Sequence, residues 1–248
     1  MADTTLICLH YLGGSARSWD WVAARLAPNI RVVALDLPGF GDACHQPGYT
    51  KADMADVVAA RVEALAPERW ALIGHSMGGA VATILARRAE NGVAALANLA
   101  GIVLVAASPP GPEPMDDSKR AQMVGWAAGG PIDPGNAHGF ITQNVTASLP
   151  AAEMQRACDD VTRANPAAWR HWLEIGCREN WSARIGTLRT PALILAGADD
   201  ETLGPDAQRT LTAPHFADAT LAVVPGAKHL LPLERPDALA TSISEFLA

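Results

Sequence analysis

Six short apolar runs alternate with helix-like stretches along most of this sequence, and this alternation constrains the fold more than any other feature. The runs are rich in Leu, Ile, Val and Ala, and five of the six end in Gly, Pro, His or Asp. They cover residues 5–10, 31–36, 69–75, 101–107, 191–197 and 219–225, and a helix is predicted over 205–216, between the last two runs. Apolar strands separated by helices are typical of a parallel sheet covered on both faces. The sequence therefore predicts an α/β fold with a doubly wound, mainly parallel sheet of about six strands, whose carboxyl edge is where a ligand would bind.

The alternation stops between residues 109 and 187, where the sequence has no convincing strand. A Pro- and Gly-rich segment, SPPGPEP (108–114), opens this interval. Helix start signals follow at Asp116 or Asp117, at Asn136, at Ser148 with Pro150 and Glu153, and at Asn165 with Pro166. We therefore expect an all-helical cap over residues 111–186, inserted after the fourth strand of a core formed by residues 1–110 and 187–248.

Charge and cysteine content restrict the kinds of partner. The net charge is −7 and the Lys and Arg residues form no block, which argues against nucleic acid or an anionic membrane. The four cysteines lie far apart without a CxxC pair, as expected for a reduced, cytoplasmic protein without a structural metal. We also expect no cofactor. The first residues, MADTTLICLH, enter a strand directly and predict no signal peptide. We expect a small-molecule substrate and a monomer or homodimer.

The motif GHSMGG (74–79) directly follows the third predicted strand and opens an Ala-rich helix. This is a G-x-S-x-G motif in the context that gives it a mechanical meaning. A strand-to-helix turn this sharp places Ser76 in a strained conformation and projects its hydroxyl above the sheet edge. The Met77 N–H lies at the start of the helix, where negative charge is stabilised. The motif predicts a nucleophilic serine.

A serine nucleophile needs a base that a carboxylate orients. In doubly wound hydrolases the acid and then the histidine follow at later strand ends. The fifth run ends in GADD, which offers Asp199 and Asp200, and the sixth is followed by PGAKHLLPLE, which contains His229. His229 is therefore the candidate base, with either aspartate as its partner.

Five motifs in chain order resemble the α/β-hydrolase fold superfamily over essentially the whole chain. They are HYLGGS, DLPGFG, GHSMGG, GADD and PGAKHLLPLERP. The resemblance implies a Ser-His-Asp enzyme of the esterase or lactonase type. Relatives usually carry the acid three residues after the turn glycine, which here is Gly197, so the resemblance favours Asp200 over Asp199. It also assigns Asp36 a structural role in the Pro-Gly loop.

The same resemblance gives the first strand end, HYLGGS (10–15), a function. It implies that the backbone N–H groups of Leu12 and Met77 form an oxyanion hole and that His10 braces the turn by hydrogen bonds. Tyr11 departs from the family pattern, which most often has Gly after this His. Its side chain either packs away from the site or places its hydroxyl in the substrate pocket as a further donor.

The predicted cap contains four of the seven tryptophans, Trp126, Trp169, Trp172 and Trp181. One interpretation is that they form the core of the cap and its seat on the sheet domain. The other is that Trp126, Trp169 and Trp172 join Tyr11 in lining an apolar substrate pocket. Both interpretations can hold for different tryptophans.

These residues predict a serine hydrolase that cleaves a small or medium, largely apolar ester or lactone through an acyl-enzyme. Enzymes of the same fold offer alternatives: a carbon–carbon bond hydrolase, a thioesterase, a cofactor-free perhydrolase or a hydroxynitrile lyase. The lyases usually carry Lys after the catalytic His, where this chain has Leu230. A further alternative is a small-molecule receptor, although such receptors often lose a triad residue.

Overall fold

The computed structural model of the protein describes residues 4–248, so residues 1–3 of the predicted core lie outside the described residues. Its sheet contains β1 (Thr4–Leu9), β2 (Ile30–Leu35), β3 (Trp70–His75), β4 (Leu99–Val105), β5 (Ala192–Gly197) and β6 (Ala219–Val224). The strands are all parallel, in the order β2-β1-β3-β4-β5-β6. The predicted doubly wound parallel sheet is confirmed, and each predicted strand boundary agrees to within two residues.

The strand order creates a crevice between β1 and β3. From β1 the chain passes to β2 on one side and returns to place β3 on the other side. Leu9 at the end of β1 lies opposite Gly74 in β3. The turns that leave these two strands therefore begin side by side, which is the position where doubly wound sheets bind ligands.

Helices cover both faces of the sheet. They are α1 (Asp20–Ala23), α2 (Lys51–Leu65), α3 (Met77–Glu90), α4 (Asp117–Trp126), α5 (Pro134–Gln143), α6 (Ala151–Arg163), α7 (Pro166–Glu174), α8 (Ser182–Ile185), α9 (Pro205–Ala207), α10 (Leu231–Glu234) and α11 (Pro236–Leu247). Alternate residues of β1 enter two apolar layers, with Ile7 and Leu9 in one and Leu6 and Cys8 in the other. All residues of β1, β3 and β5 are buried, which explains their continuous apolar sequences, since each large side chain contributes about 1.5–3 kcal/mol on burial.

Two details of the helix predictions are wrong. The stretch predicted as one helix over 205–216 is divided into α9, a π-helical turn (Gln208–Thr212) and a 3-10 turn (Ala213–His215). Pro214 lacks the N–H that a continuous helix needs there. The N-cap of α5 is Asp133, not Asn136, and its carboxylate accepts the N–H groups of Gly135 and Asn136.

The segment between β4 and β5 is helical, from α4 to α8, and Trp169 lies at its centre. The Trp169 indole donates to the Met123 carbonyl at 2.8 Å and packs against Phe140 and Trp126. Asp160 in α6 is buried and accepts from Ser15 Oγ at 2.6 Å. This contact fixes the helical segment to the turn that follows β1.

Close packing at the elbow after β3 leads to a stability prediction. A Cβ atom on Gly78 would lie 2.6 Å from the Leu9 carbonyl oxygen, which belongs to the backbone and cannot rotate away. We expect Gly78→Ala to lower the free energy of unfolding by about 3 kcal/mol, as backbone clashes in a packed interior typically do. Thermal and urea unfolding would measure the loss.

Gly125 in α4 provides the matched control, because a Cβ there meets nothing within 4 Å. Gly125→Ala should be neutral or stabilise by up to about 1 kcal/mol, since alanine favours a helix. Equal stabilities for the two variants would contradict the close approach of α3 and β1.

Within residues 4–248, none of the helices combines the length and the apolar character that crossing a membrane requires. The four cysteines are free thiols. The described part of the chain also contains no cluster of three or more His, Cys, Asp or Glu side chains that could hold a metal ion.

Candidate active site

Ser76 occupies the turn between β3 and α3. Its backbone has φ 51° and ψ −116°, a conformation that costs a non-glycine residue free energy and that only close surrounding packing maintains. The turn is held by hydrogen bonds from Ser76 N–H to the Val105 carbonyl and from Gly79 N–H to the Ser76 carbonyl, at 3.0 and 2.8 Å. The side chain opens into a cleft above the carboxyl edge of the sheet.

The loops after β5 and β6 bring Asp200 and His229 together. The His229 Nδ1 lies 2.8 Å from Asp200 Oδ2. The other oxygen, Oδ1, accepts the N–H groups of Thr202 and Leu203 at 2.9 and 3.0 Å. Burial by itself raises the pKa of Asp200, but His229 and these N–H groups outweigh it and hold the pKa at about 2. Asp200 is therefore ionised at neutral pH.

The two rival aspartates occupy different environments. The Asp200 side chain is 4% exposed and reaches His229. Asp199 is exposed, and its backbone N–H donates to the Ala227 carbonyl. The structure thus brings Ser76, Asp200 and His229 together around one cleft and leaves Asp199 at the surface.

His75 and His10 are both fully buried beside this site. The His75 Nε2–H donates to the His229 carbonyl at 2.8 Å, so His75 supports the loop that carries His229. His10 Nε2 accepts the Leu37 N–H at 3.0 Å, which leaves its Nδ1–H to donate to the Tyr11 carbonyl at 2.7 Å. Burial lowers the pKa of both rings and favours their neutral forms.

The turn after β1 lies against the start of α3. Gly78 N–H donates to the His10 carbonyl at 3.1 Å, and Gly14 N–H donates to the Tyr11 carbonyl at 3.0 Å. Among the described residues, no protein acceptor takes the N–H of Leu12 or of Met77. Each of these two N–H groups is therefore available to donate a hydrogen bond, and Leu12 also lines the cleft.

Asp36 accepts backbone N–H groups from two loops. Its oxygens bind the N–H groups of Ala16 at 2.7 Å and Asp42 at 2.9 Å. It thereby ties the loop after β2 to the segment after β1, away from the cleft that Ser76 faces.

Tyr11 is almost completely buried, at 1% exposure, and its side chain lines two neighbouring clefts. Its ring packs against Gly14 and against the His75 ring, whose centroid is 5.1 Å away. One cleft contains Ser76 and the other lies beside Asp160. Burial raises the pKa of the Tyr11 hydroxyl, and Asp160 raises it further, so the phenol is neutral.

The predicted pocket tryptophans separate into two groups. Trp172 lines the cleft with Ser76. Trp169 is instead buried within the helical segment, and Trp126 packs partly buried against it. Trp169 also lies beneath the turn after β1, since a Cβ on Gly13 would meet its ring at 2.9 Å. The pocket assignment of Trp126 and Trp169 is therefore corrected to a packing position, because their rings fill the interior between helices.

Several residues of the cleft were not predicted from the sequence. The further lining residues are Glu113, Met115, Lys119, Met123, Phe140, Asn144, Thr202 and Leu203. Helical periodicity marks Met123 and Phe140 only as apolar positions. The sequence does contain a signal for Glu113, because it is the one charged residue in the segment SPPGPEP.

Comparison with known proteins gives matches of different extent. Residues 6–242 match the Alpha/beta hydrolase family. A pimeloyl-(acyl-carrier protein) methyl ester esterase of Sodalis glossinidius is 39% identical over 107 residues, which are 43% of this chain but only 38% of the esterase. A 2-succinyl-6-hydroxy-2,4-cyclohexadiene-1-carboxylate synthase of Serratia proteamaculans is 28% identical over 98% of this chain and 92% of the synthase.

A solved structure shows the same fold at low sequence identity. An esterase from Exiguobacterium antarcticum superimposes with a TM-score of 0.85 at 17% identity, over 100% of this chain and 93% of the esterase. The family match extends over nearly the whole sequence, and the parallel sheet with its strand-end site agrees with it. The chain therefore belongs to the alpha/beta hydrolase family.

Proposed function

We propose that this protein is a serine hydrolase that cleaves a small or medium carboxylic ester, with Ser76 as nucleophile, His229 as general base and Asp200 as the residue that orients it. The observation that carries the proposal is the 2.8 Å pair between His229 and Asp200, which shares one cleft with a serine on a strained turn. In a Ser-His-Asp triad the carboxylate orients the histidine, and the histidine activates the serine as nucleophile.

The proposed reaction has two steps. His229 takes the proton of the Ser76 hydroxyl as its oxygen attacks the ester carbonyl, and Asp200 stabilises the imidazolium that forms. The N–H groups of Leu12 and Met77 bind the oxyanion of the tetrahedral intermediate. His229 then protonates the leaving alcohol, and water cleaves the acyl-enzyme by the same route.

The shape of the cleft supports a substrate of modest size. The space enclosed by its walls is small, because side chains line the cleft closely and it opens to solvent. Met115, Met123, Phe140 and Trp172 contribute apolar surface, which suits the hydrocarbon part of an ester or a lactone. We treat residues 111–186 as the cap that contributes these side chains, inserted into a core of residues 1–110 and 187–248.

A second candidate is the reaction named for the Serratia synthase, because that match spans nearly the whole chain. Ester cleavage by the proposed mechanism acylates Ser76, so an acyl group on this residue would support the ester hydrolase. Mass spectrometry of the protein quenched during turnover would detect the added acyl group on the peptide that contains Ser76.

A substrate panel tests the proposal. We expect turnover of p-nitrophenyl acetate or butyrate, and a panel of acyl lengths, lactones and thioesters would define the preference. Tight binding of a small molecule with no turnover of any ester, thioester or lactone would contradict the hydrolase and favour a receptor.

Tyr11→Phe tests whether the Tyr11 hydroxyl helps to select substrates. Loss of a buried donor typically costs about 1 kcal/mol, so we expect kcat/KM to fall about fivefold for esters with an acceptor in the acyl chain and to change little for plain alkyl esters. Tyr49→Phe is the control, since Tyr49 is the other tyrosine of the chain and does not line the cleft. An equal effect of Tyr11→Phe on every ester would contradict a selective role.

A further inference from the structure

Glu113 is a buried carboxyl in the wall of the cleft that contains Ser76 and His229. Only 8% of its surface is exposed. Burial of a carboxyl group in an apolar cleft costs free energy unless hydrogen bonds or an opposite charge compensate for the lost hydration. The proposed ester hydrolysis assigns Glu113 no role.

The position of Glu113 is fixed relative to the nucleophile. Its Oε1 accepts a hydrogen bond from Ser108 Oγ, and the Ser108 N–H donates to the Ser76 carbonyl at 3.0 Å. The Glu113 N–H donates to the Cys177 carbonyl at 2.8 Å, and Pro112 precedes the residue. The carboxyl is therefore held two hydrogen bonds from the backbone of Ser76.

One oxygen of this carboxyl is available. Among the described residues, Ser108 is the only group that donates to the Glu113 side chain, and Oε2 receives no hydrogen bond. Arg120 lies nearby but binds Asp117 and the Met115 carbonyl instead. Glu113 is thus not neutralised by an ion pair, and an acceptor remains unused at the cleft wall.

The surrounding charges restrict what this acceptor could bind. Burial raises the pKa of Glu113, while Lys51, His229 and Arg120 act against that rise. Lys119 lines the same cleft. These positive groups would repel a cationic ligand, whereas they would not repel a neutral hydrogen-bond donor. A carboxyl also retains a free lone pair in both of its protonation states, so it can accept from a neutral donor in either.

We propose that Glu113 is a substrate-binding residue that accepts a hydrogen bond from a hydroxyl or amide N–H group on the ester. This inference rests on the proposed ester hydrolysis and makes it more specific: the substrate has an apolar body and one neutral donor. Such a site discriminates strongly, because a substrate without the donor leaves a buried acceptor unpaired.

Pairs of p-nitrophenyl esters test the inference. Each pair consists of a hydroxyacyl ester and the ester with a methyl group in place of the hydroxyl, with the hydroxyl placed at successive carbons of three- to six-carbon acyl chains. In the wild type we expect kcat/KM to favour the hydroxyacyl ester about tenfold or more in at least one pair, as a site built around a substrate hydroxyl does. Glu113→Leu should abolish the preference in that pair, and Glu113→Gln should retain part of it, since the amide oxygen still accepts.

Glu174→Leu is the matched control, because Glu174 is exposed on α7 and does not line the cleft. It should keep the wild-type preference. A ratio that is the same in the wild type and in folded Glu113→Leu and Glu113→Gln would overturn the inference, as would a wild type with no preference in any pair. If the wild type cleaves none of the esters, the proposed function is contradicted, and the inference with it.

Discussion

Ser76→Ala is expected to lower kcat for ester hydrolysis by about 10⁴- to 10⁶-fold, as removal of the nucleophile does in other serine hydrolases. The variant keeps the cleft and the oxyanion donors but has no oxygen that can form the acyl-enzyme. Hydrolysis of p-nitrophenyl butyrate by purified protein measures the loss. Substrate binding should persist, because the cleft walls are unchanged.

The control for this variant is Ser118→Ala, since Ser118 is exposed at the start of α4. It should retain wild-type activity. A fluorophosphonate probe should label the wild type and Ser118→Ala but not Ser76→Ala. Full hydrolytic activity in Ser76→Ala would remove Ser76 from the mechanism and leave the acyl-enzyme proposal without a nucleophile.

Asp200→Asn is expected to lower kcat by about 10⁴-fold, the effect of the equivalent change in a serine protease. The Asn Oδ1 can still accept from Thr202 and Leu203, which now bind Asp200 Oδ1, so the turn can persist. Its amide group would then meet the Nδ1–H of His229 as a second donor. His229 must change tautomer or move, and in either case it no longer serves as the base toward Ser76.

Asp199→Asn tests the rival directly, because the two aspartates are adjacent and the substitution is the same. Asp199 is exposed while Asp200 reaches His229 at 2.8 Å, so Asp199→Asn should keep activity within about twofold of the wild type, as surface substitutions do. Kinetics of both variants, with thermal unfolding to establish that each is folded, decide between them. A greater loss in Asp199→Asn would reverse the assignment.

The sheet could be predicted because its signal is local. Strands buried on both faces must be apolar at every position, and each of the six runs is short enough and bounded clearly enough to be identified. The elbow was also visible in the sequence, since GHSMGG lies where strand β3 meets helix α3. Helix boundaries followed from caps, and the errors at 205–216 and at the start of α5 arose where several polar residues or an internal proline competed.

The walls of the cleft could not be predicted in the same way. Tryptophans in an amphipathic helix satisfy the same apolar pattern whether they face a cavity or a neighbouring helix. Trp169 and Trp172 are three residues apart in α7, yet Trp169 packs inside the helical segment while Trp172 reaches the cleft. Only the packing of α4, α5 and α7 against each other separates the two positions.

The sequence by itself determined the parallel sheet and the order of the candidate site residues along the chain, because strand burial and tight turns place strict local demands on residue type. The tertiary structure decided what depends on contacts between distant segments. It placed Asp200, which the family resemblance already favoured over Asp199, 2.8 Å from His229, and it placed Glu113 with an unused oxygen in the cleft that contains Ser76. A side chain's distance to a partner 29 residues away depends on how every element between them packs, and no local pattern contains that information.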